Sequence, residues 1–79
     1  MIVHALLQGQ ETRERLELIL SLTSIRPGPI RDALFSHYVD GMPAAAAIFT
    51  HDVAKQNFSR AQKTVNKVYS ITCAIHKIT

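Results

Sequence analysis

The chain has 79 residues, of which 47% are hydrophobic and 19% are charged, and its formal net charge at pH 7 is +3. This length excludes a two-domain protein, and a chain so short buries only about 60% of the surface that its unfolded form exposes. We therefore expect one small domain over residues 1–79 that is stabilised by association with a second subunit.

The apolar stretches are too short to cross a membrane. Residues 18–20 and 44–49 fall far short of the roughly 18 apolar residues that a bilayer span needs. No basic cluster precedes the short apolar stretch at residues 5–7, as it would in a secretion signal. Cys73 is the single cysteine, so the chain can form neither an internal disulfide nor a metal site that needs two cysteines. We expect a cytoplasmic protein.

Basic charge is concentrated in the second half of the chain. Residues 1–40 hold four arginines against five acidic residues, whereas residues 41–79 hold five basic residues against one acidic residue. A basic cluster on one element is typical of a nucleic-acid-binding protein, although solvated lysine faces are also common on small basic domains. The charge pattern alone leaves both interpretations open.

Helical spacing recurs along the chain without strand-like alternation or internal repeats, which predicts a small all-α domain of four helices, the last of them long. The first helix is predicted from near Gln10 to Ser24, with Thr12 near its start and Glu11 paired with Arg15. The residues expected on its buried side are Leu16, Ile19, Leu20 and Leu22.

The second helix is bounded by proline and glycine. The segment from Arg26 to Pro29 ends the first helix, because proline lacks an N–H and disfavours helical geometry in the preceding residue. Pro29 suits the first turn of a second helix that continues through Val39. Gly41 then takes the left-handed cap, and Pro43 opens the next helix.

From Pro43 onward the pattern indicates a helix-turn-helix over about residues 43–69. A short alanine-rich helix over 43–49 is followed by a turn over 50–53 and an amphipathic helix over 54–69. The amphipathic helix places its apolar residues on one face, which comprises Phe58, Ala61, Val65 and Val68. We expect Phe58 in the core rather than as a wedge between bases.

The opposite face of this helix carries the candidate DNA-binding residues. Glutamine and asparagine suit the paired acceptor and donor of adenine, whereas lysine and serine suit phosphates. Arg60 is the principal candidate; guanine, a narrow AT-rich minor groove and phosphate are its possible contacts, and we favour phosphate. Lys67 and Lys77 lie farther along the helix. The candidate set is Lys55, Gln56, Asn57, Ser59, Arg60 and Lys63.

No pattern predicts catalysis, a cofactor or a metal site. The histidines, His4, His37, His51 and His76, lack the spacing of metal ligands. Nucleophile elbows, phosphate loops and paired carboxylates are absent from the sequence, and a domain this small offers little wall for a closed pocket. We expect a non-enzyme without a small-molecule substrate. If the helix-turn-helix binds DNA, we expect His51, in its turn, to lie beside a phosphate.

The C-terminal segment carries more apolar surface than a three-helix core needs. Its apolar and β-branched residues recur three or four positions apart, as Val65, Val68, Ile71, Thr72, Ile75 and Ile78. The segment either packs back over the first helix or forms a seam between subunits, and we favour the seam of a homo-oligomer, a dimer or larger.

Four short stretches of the chain form a recognisable pattern over about residues 16–69; they are LSLTSI at 20–25, IRDAL at 30–34, YVDG at 38–41 and QNFS at 56–59. Together they resemble the adhesin-biosynthesis (PapB-type) transcription regulators of bacterial fimbrial operons. The second half also resembles TrfB/KorA-type plasmid repressors, through VDGMP at 39–43 and through Ser59, Ala61 and Val65. The chain departs from the fimbrial pattern at Pro27, where those regulators tend to carry a capping serine, and in its run of four alanines.

The resemblance implies an oligomeric helix-turn-helix protein that binds AT-rich double-stranded regulatory DNA and controls transcription of fimbrial genes. The second resemblance implies a plasmid-type repressor instead. A further alternative is a helical interaction module that binds another regulator through its alanine-rich helix and apolar C-terminus without contacting DNA. The basic and amide residues gathered on the predicted last helix favour DNA binding.

Overall fold

A computed structural model describes residues 6–78, with side chains described through residue 75. It contains four helices, and the described residues form no strand. The helices are α1 (Arg13–Ser21), α2 (Pro29–Tyr38), α3 (Ala44–Thr50) and α4 (Lys55–Ile78). The predicted all-α architecture with a long last helix is confirmed.

Helix α1 is shorter than predicted at both ends. The Thr12 hydroxyl oxygen accepts the N–H of Arg15 at 3.1 Å and caps the helix, so α1 begins at Arg13. The backbone before it bonds elsewhere, since the Glu11 N–H donates to the carbonyl of Tyr38. The expected burial of Leu22 is wrong: this residue follows the last helical residue, and its side chain is 68% exposed.

Helix α2 begins at Pro29, as predicted, with Gly28 as its N-cap. After α2 ends, Gly41 adopts the predicted left-handed conformation, with a φ of 81°. Gly9, with a φ of 70°, lies against it, and the Gln8 side-chain amide donates to the Gly41 carbonyl at 2.6 Å. The segment before α1 is thus attached to the turn between α2 and α3.

Helices α3 and α4 are joined by a tight turn over residues 51–54. The Val53 N–H donates to the Ile48 carbonyl, and Asp52 takes a positive φ of 51°. The predicted end of α4 near Tyr69 is wrong, because the helix continues to Ile78. Its sequence contains no glycine or proline that would stop it.

The core is formed by side chains from all four helices and by Leu6, which precedes α1. Its largest fully buried side chains are Tyr38, Phe58, Leu16, Leu20, Leu34 and Val65. Phe58 is 1% exposed, which confirms its predicted place in the core. The buried ring of His37 lies edge-on to Tyr38 and Phe58, at 4.7 and 6.0 Å between ring centroids. This packing fixes which side of α4 faces inward.

The last turns of α4 do not fold back over α1. The molecule measures 40 × 22 × 22 Å, and a 24-residue helix is about 36 Å long, so α4 alone nearly spans the long axis. Ile71 and Ile75 are 50% and 59% exposed. The side chain of Ile78 lies outside the described residues. No helix in residues 6–78 is both long and apolar enough to cross a membrane.

Candidate nucleic-acid interface

The outward face of α4 is defined by the residues that the helix buries. Phe58, Ala61 and Val65 pack into the core. At about 100° of rotation per residue, the opposite side of the helix carries residues spaced three and four apart. We define this outer stripe as Gln56, Arg60, Lys63 and Lys67, all of which are exposed.

The six predicted site residues do not all share this stripe. Gln56, Arg60 and Lys63 belong to it, and the half-buried Ser59 borders it. Lys55 and Asn57 lie about 200° apart around the helix axis, on opposite flanks of the stripe. Both are exposed in the first turn of α4. The structure also aligns Lys67 with the stripe, although it lies farther along the helix.

The charge of α4 has one sign. The helix contains five basic residues and no acidic residue, so no ion pair within the helix can neutralise them. The two arginines of α1, by contrast, have partners within the protein. Arg15 lies 3.6 Å from the buried Glu11 carboxylate, and Arg13 stacks 4.5 Å above the Phe35 ring. The long helix therefore presents a field that favours an anionic partner.

An open groove of about 410 Å³ lies along one flank of α4. One wall is residues 25–30, the end of the α1–α2 connection and the start of α2, and the other comprises Asn57, Arg60, Ala61 and Thr64. We call this feature the flank groove. It brings Arg26 to the same surface as Arg60, and sequence analysis missed this because Arg26 lies in a connection read only as a helix stop. No local signal links two residues so distant in the chain.

The turn between α3 and α4 is tied to α2. His51 Nε2 and the Ser36 hydroxyl oxygen are 2.8 Å apart, a hydrogen bond whose donor depends on the histidine tautomer. The half-buried His51 therefore has a protein partner, which limits the phosphate contact expected for it. Among the side chains that the structure describes, those of residues 6–75, no three His, Cys, Asp or Glu are placed to hold a metal ion.

Burial also changes the acidity of one core side chain. Desolvation raises the pKa of the Tyr38 hydroxyl above its ordinary value, and hydrogen bonds with Gln62 and Asn66 partly oppose this rise. The Gln62 amide donates to the Tyr38 oxygen at 3.2 Å. Asn66 also accepts the Leu6 N–H at 2.9 Å. The inward side of α4 is thus held by polar contacts as well as by packing.

No protein-family model matches the chain, and no curated protein matches it. A solved structure does match: the 1.4 Å crystal structure of E. coli FocB superposes with a TM-score of 0.87 at 16% sequence identity. The superposition covers 95% of this chain and 85% of the FocB chain. This similarity shows that the two chains share one helical fold.

Proposed function

We propose that this chain is a DNA-binding transcriptional regulator in which α3, the turn over residues 51–54 and α4 act as a helix-turn-helix. The single observation that carries the proposal is the outer stripe, which is exposed on a helix that has no acidic residue. Phosphate neutralisation by Arg60 and Lys63 supplies most of the affinity. Gln56, Asn57, Lys55 and Ser59 add contacts to base edges and neighbouring phosphates.

The proposed targets are regulatory regions of fimbrial or adhesin genes in AT-rich DNA. The stretches that resemble PapB-type regulators support this, and the helical fold shared with E. coli FocB agrees with it. AT-rich tracts have a narrow minor groove with a strongly negative potential, which favours the approach of a basic helix face. The TrfB/KorA-type resemblance supports a plasmid-type repressor as the alternative within the same class.

We further propose that the protein acts in the cytoplasm as a homo-oligomer, a dimer or larger. The last turns of α4 support this, because Ile71 and Ile75 are exposed on a segment that has only Lys77 as a charged residue. Exposed apolar side chains grouped on one element are typical of subunit contacts. The proposal assigns the protein no enzymatic activity and no cofactor.

A second candidate function is a helical interaction module that does not contact DNA. The observation that favours it is Phe49, which is 87% exposed on α3 beside the exposed Ala45 and Ala46. An apolar patch on a short helix suits the groove or helix of another protein. The two candidates differ in the role of α4, since only DNA binding needs its basic side chains.

Substitution of Arg60 tests the proposal directly. Arg60→Ala removes a cation from the outer stripe, and Arg13→Ala removes the same charge from α1 as a matched control. We expect the first variant to lose most of its binding to an AT-rich duplex in gel-shift titrations, and the second to bind nearly as the parent does. Equal binding by both variants at low salt would remove α4 from the interface and favour the interaction module.

A further inference from the structure

The flank groove gives the DNA interface a second element. We infer that it binds the sugar–phosphate backbone of the same duplex that α4 contacts, with Arg26 holding a phosphate from the α1–α2 connection. This inference rests on the proposed function, because it takes α4 as the DNA-facing helix. It adds a contact from residues 25–30, which carry none of the predicted site residues.

The charges around the groove favour a phosphodiester. Arg26 stands on one wall and Arg60 on the other, and the described lining residues include no acidic side chain. Asp32, in the first turn of α2, is not part of the lining. Arg31 is also absent from it, since its guanidinium stacks 5.6 Å from the centre of the Phe35 ring. A pair of arginines with polar neighbours such as Asn57 suits an anionic strand.

The shape and surface of the groove suit an extended strand better than an enclosed small molecule. It is an open groove, and its wall at residues 25–30 is mostly apolar, formed by Ile25, Pro27, Pro29 and Ile30. Such a wall matches the carbon-rich face of deoxyribose, while the two guanidinium groups bind the phosphates. A continuous nucleic-acid backbone offers both surfaces in alternation.

The connection is also preorganised. Pro27 and Pro29 each have a restricted φ, which limits the entropy lost when the segment is held against a ligand. Gly28 has a φ of 155°, and a β-carbon added there would meet no protein atom within 4 Å. Space around Gly28 is therefore open to an approaching molecule, and the backbone there presents no side chain to block it.

The test compares Arg26→Gln with Arg13→Gln, which removes the same charge from a residue that does not line the groove. Each variant is titrated against an AT-rich duplex at several salt concentrations, and helicity is checked by circular dichroism. We expect Arg26→Gln to weaken binding about tenfold and to reduce the slope of log affinity against log salt by about 1, as for one lost phosphate contact. Arg13→Gln should leave that slope unchanged.

Two further measurements make the result specific to the groove. Arg26→Lys, which keeps the charge and the long stem, should restore the salt slope even if Arg26→Gln folds poorly. Hydroxyl-radical footprinting should show that Arg26→Gln loses protection at one edge of the site while the centre stays protected. This edge effect separates a backbone contact from a general loss of positive charge.

The failures of the two proposals are distinguishable. If Arg60→Gln weakens binding while Arg26→Gln matches Arg13→Gln in affinity, slope and footprint, the groove does not bind DNA and only this inference is overturned. Binding of inorganic phosphate in the groove, together with unchanged DNA affinity of Arg26→Gln, would overturn it in favour of a small anion. If the parent protein binds no duplex at low salt, both proposals fail.

Discussion

Gly9 packs so closely against Gly41 that a β-carbon on Gly9 would lie 3.0 Å from the Gly41 Cα. Both residues have positive φ angles, of 70° and 81°. The reverse substitution is less crowded, since a β-carbon on Gly41 would lie 3.6 Å from the Gly9 Cα. The contact holds the segment before α1 against the turn that leads into α3.

We therefore predict that Gly9→Ala destabilises the protein more than Gly41→Ala does. Both variants adopt a left-handed conformation that costs an L-residue about 1–2 kcal/mol, but only Gly9→Ala adds a backbone clash. Urea unfolding of the two variants and the parent measures the difference. Equal losses of unfolding free energy would show that the two backbones can move apart without cost.

Tyr38 makes stability depend on pH in the alkaline range. Because burial raises the pKa of its hydroxyl, the unfolded chain loses this proton at a lower pH than the folded chain does. The folded state then binds more protons, so this contribution to stability is complete below about pH 10 and falls as the pH rises beyond it. Unfolding free energies measured from pH 8 to 11 should fall more steeply for the parent than for Tyr38→Phe. Parallel curves of unfolding free energy against pH for the two proteins would show that Tyr38 does not cause this pH dependence.

Substitution of Phe58 tests whether its side chain packs in the core or inserts between DNA bases. Its side chain is 1% exposed, so Phe58→Ala should cost about 3–5 kcal/mol and leave much of a small domain unfolded. Circular dichroism would show the loss of helix without DNA present. A variant that remained fully helical and stable but failed to bind DNA would instead indicate a wedge.

The exposed isoleucines of α4 predict how the chain assembles. Ile71→Asp combined with Ile75→Asp should reduce the proposed oligomer to a monomer while keeping the helical content, because neither side chain belongs to the buried core. Phe49→Asp is the matched control, since it places the same charge on another exposed apolar residue. Sedimentation of the three proteins gives their masses. An unchanged mass for the double variant would place the seam elsewhere.

Local signals predicted some boundaries accurately and missed others. Pro29 and Gly41 were identified because their backbone preferences act within a residue or two. The start of α1 was misplaced because the segment before it bonds to α2, a contact distant in the chain. Its end was misplaced because the N–H groups of residues 22 and 23 donate to carbonyls three residues back, which closes the helix at Ser21 and leaves Leu22 exposed. The prediction ended α4 near Tyr69 although the apolar spacing continues through residues 65–78 and no glycine or proline interrupts it, so the helix runs on beyond the core to Ile78.

The candidate site could be predicted only in part, because local patterns do not report contacts between segments that are distant in the chain. Helical periodicity alone identifies Gln56, Arg60 and Lys63 as neighbours on one stripe. Periodicity also separates Lys55 from Asn57, a consequence that grouping them by residue type had overlooked. Arg26 and Arg60 line the same groove because residues 25–30 lie beside α4, and no pattern in either segment predicts this.

The central claim is that α4 binds duplex DNA through its basic face. Its most direct test is a gel-shift titration on AT-rich and GC-rich duplexes of equal length, repeated at several salt concentrations. We expect tighter binding to the AT-rich duplex, with log affinity falling linearly against log salt by about 0.9 per neutralised phosphate. Failure of both duplexes to shift at low salt would contradict DNA binding by α4 and would favour a role for α3 and α4 in protein contacts.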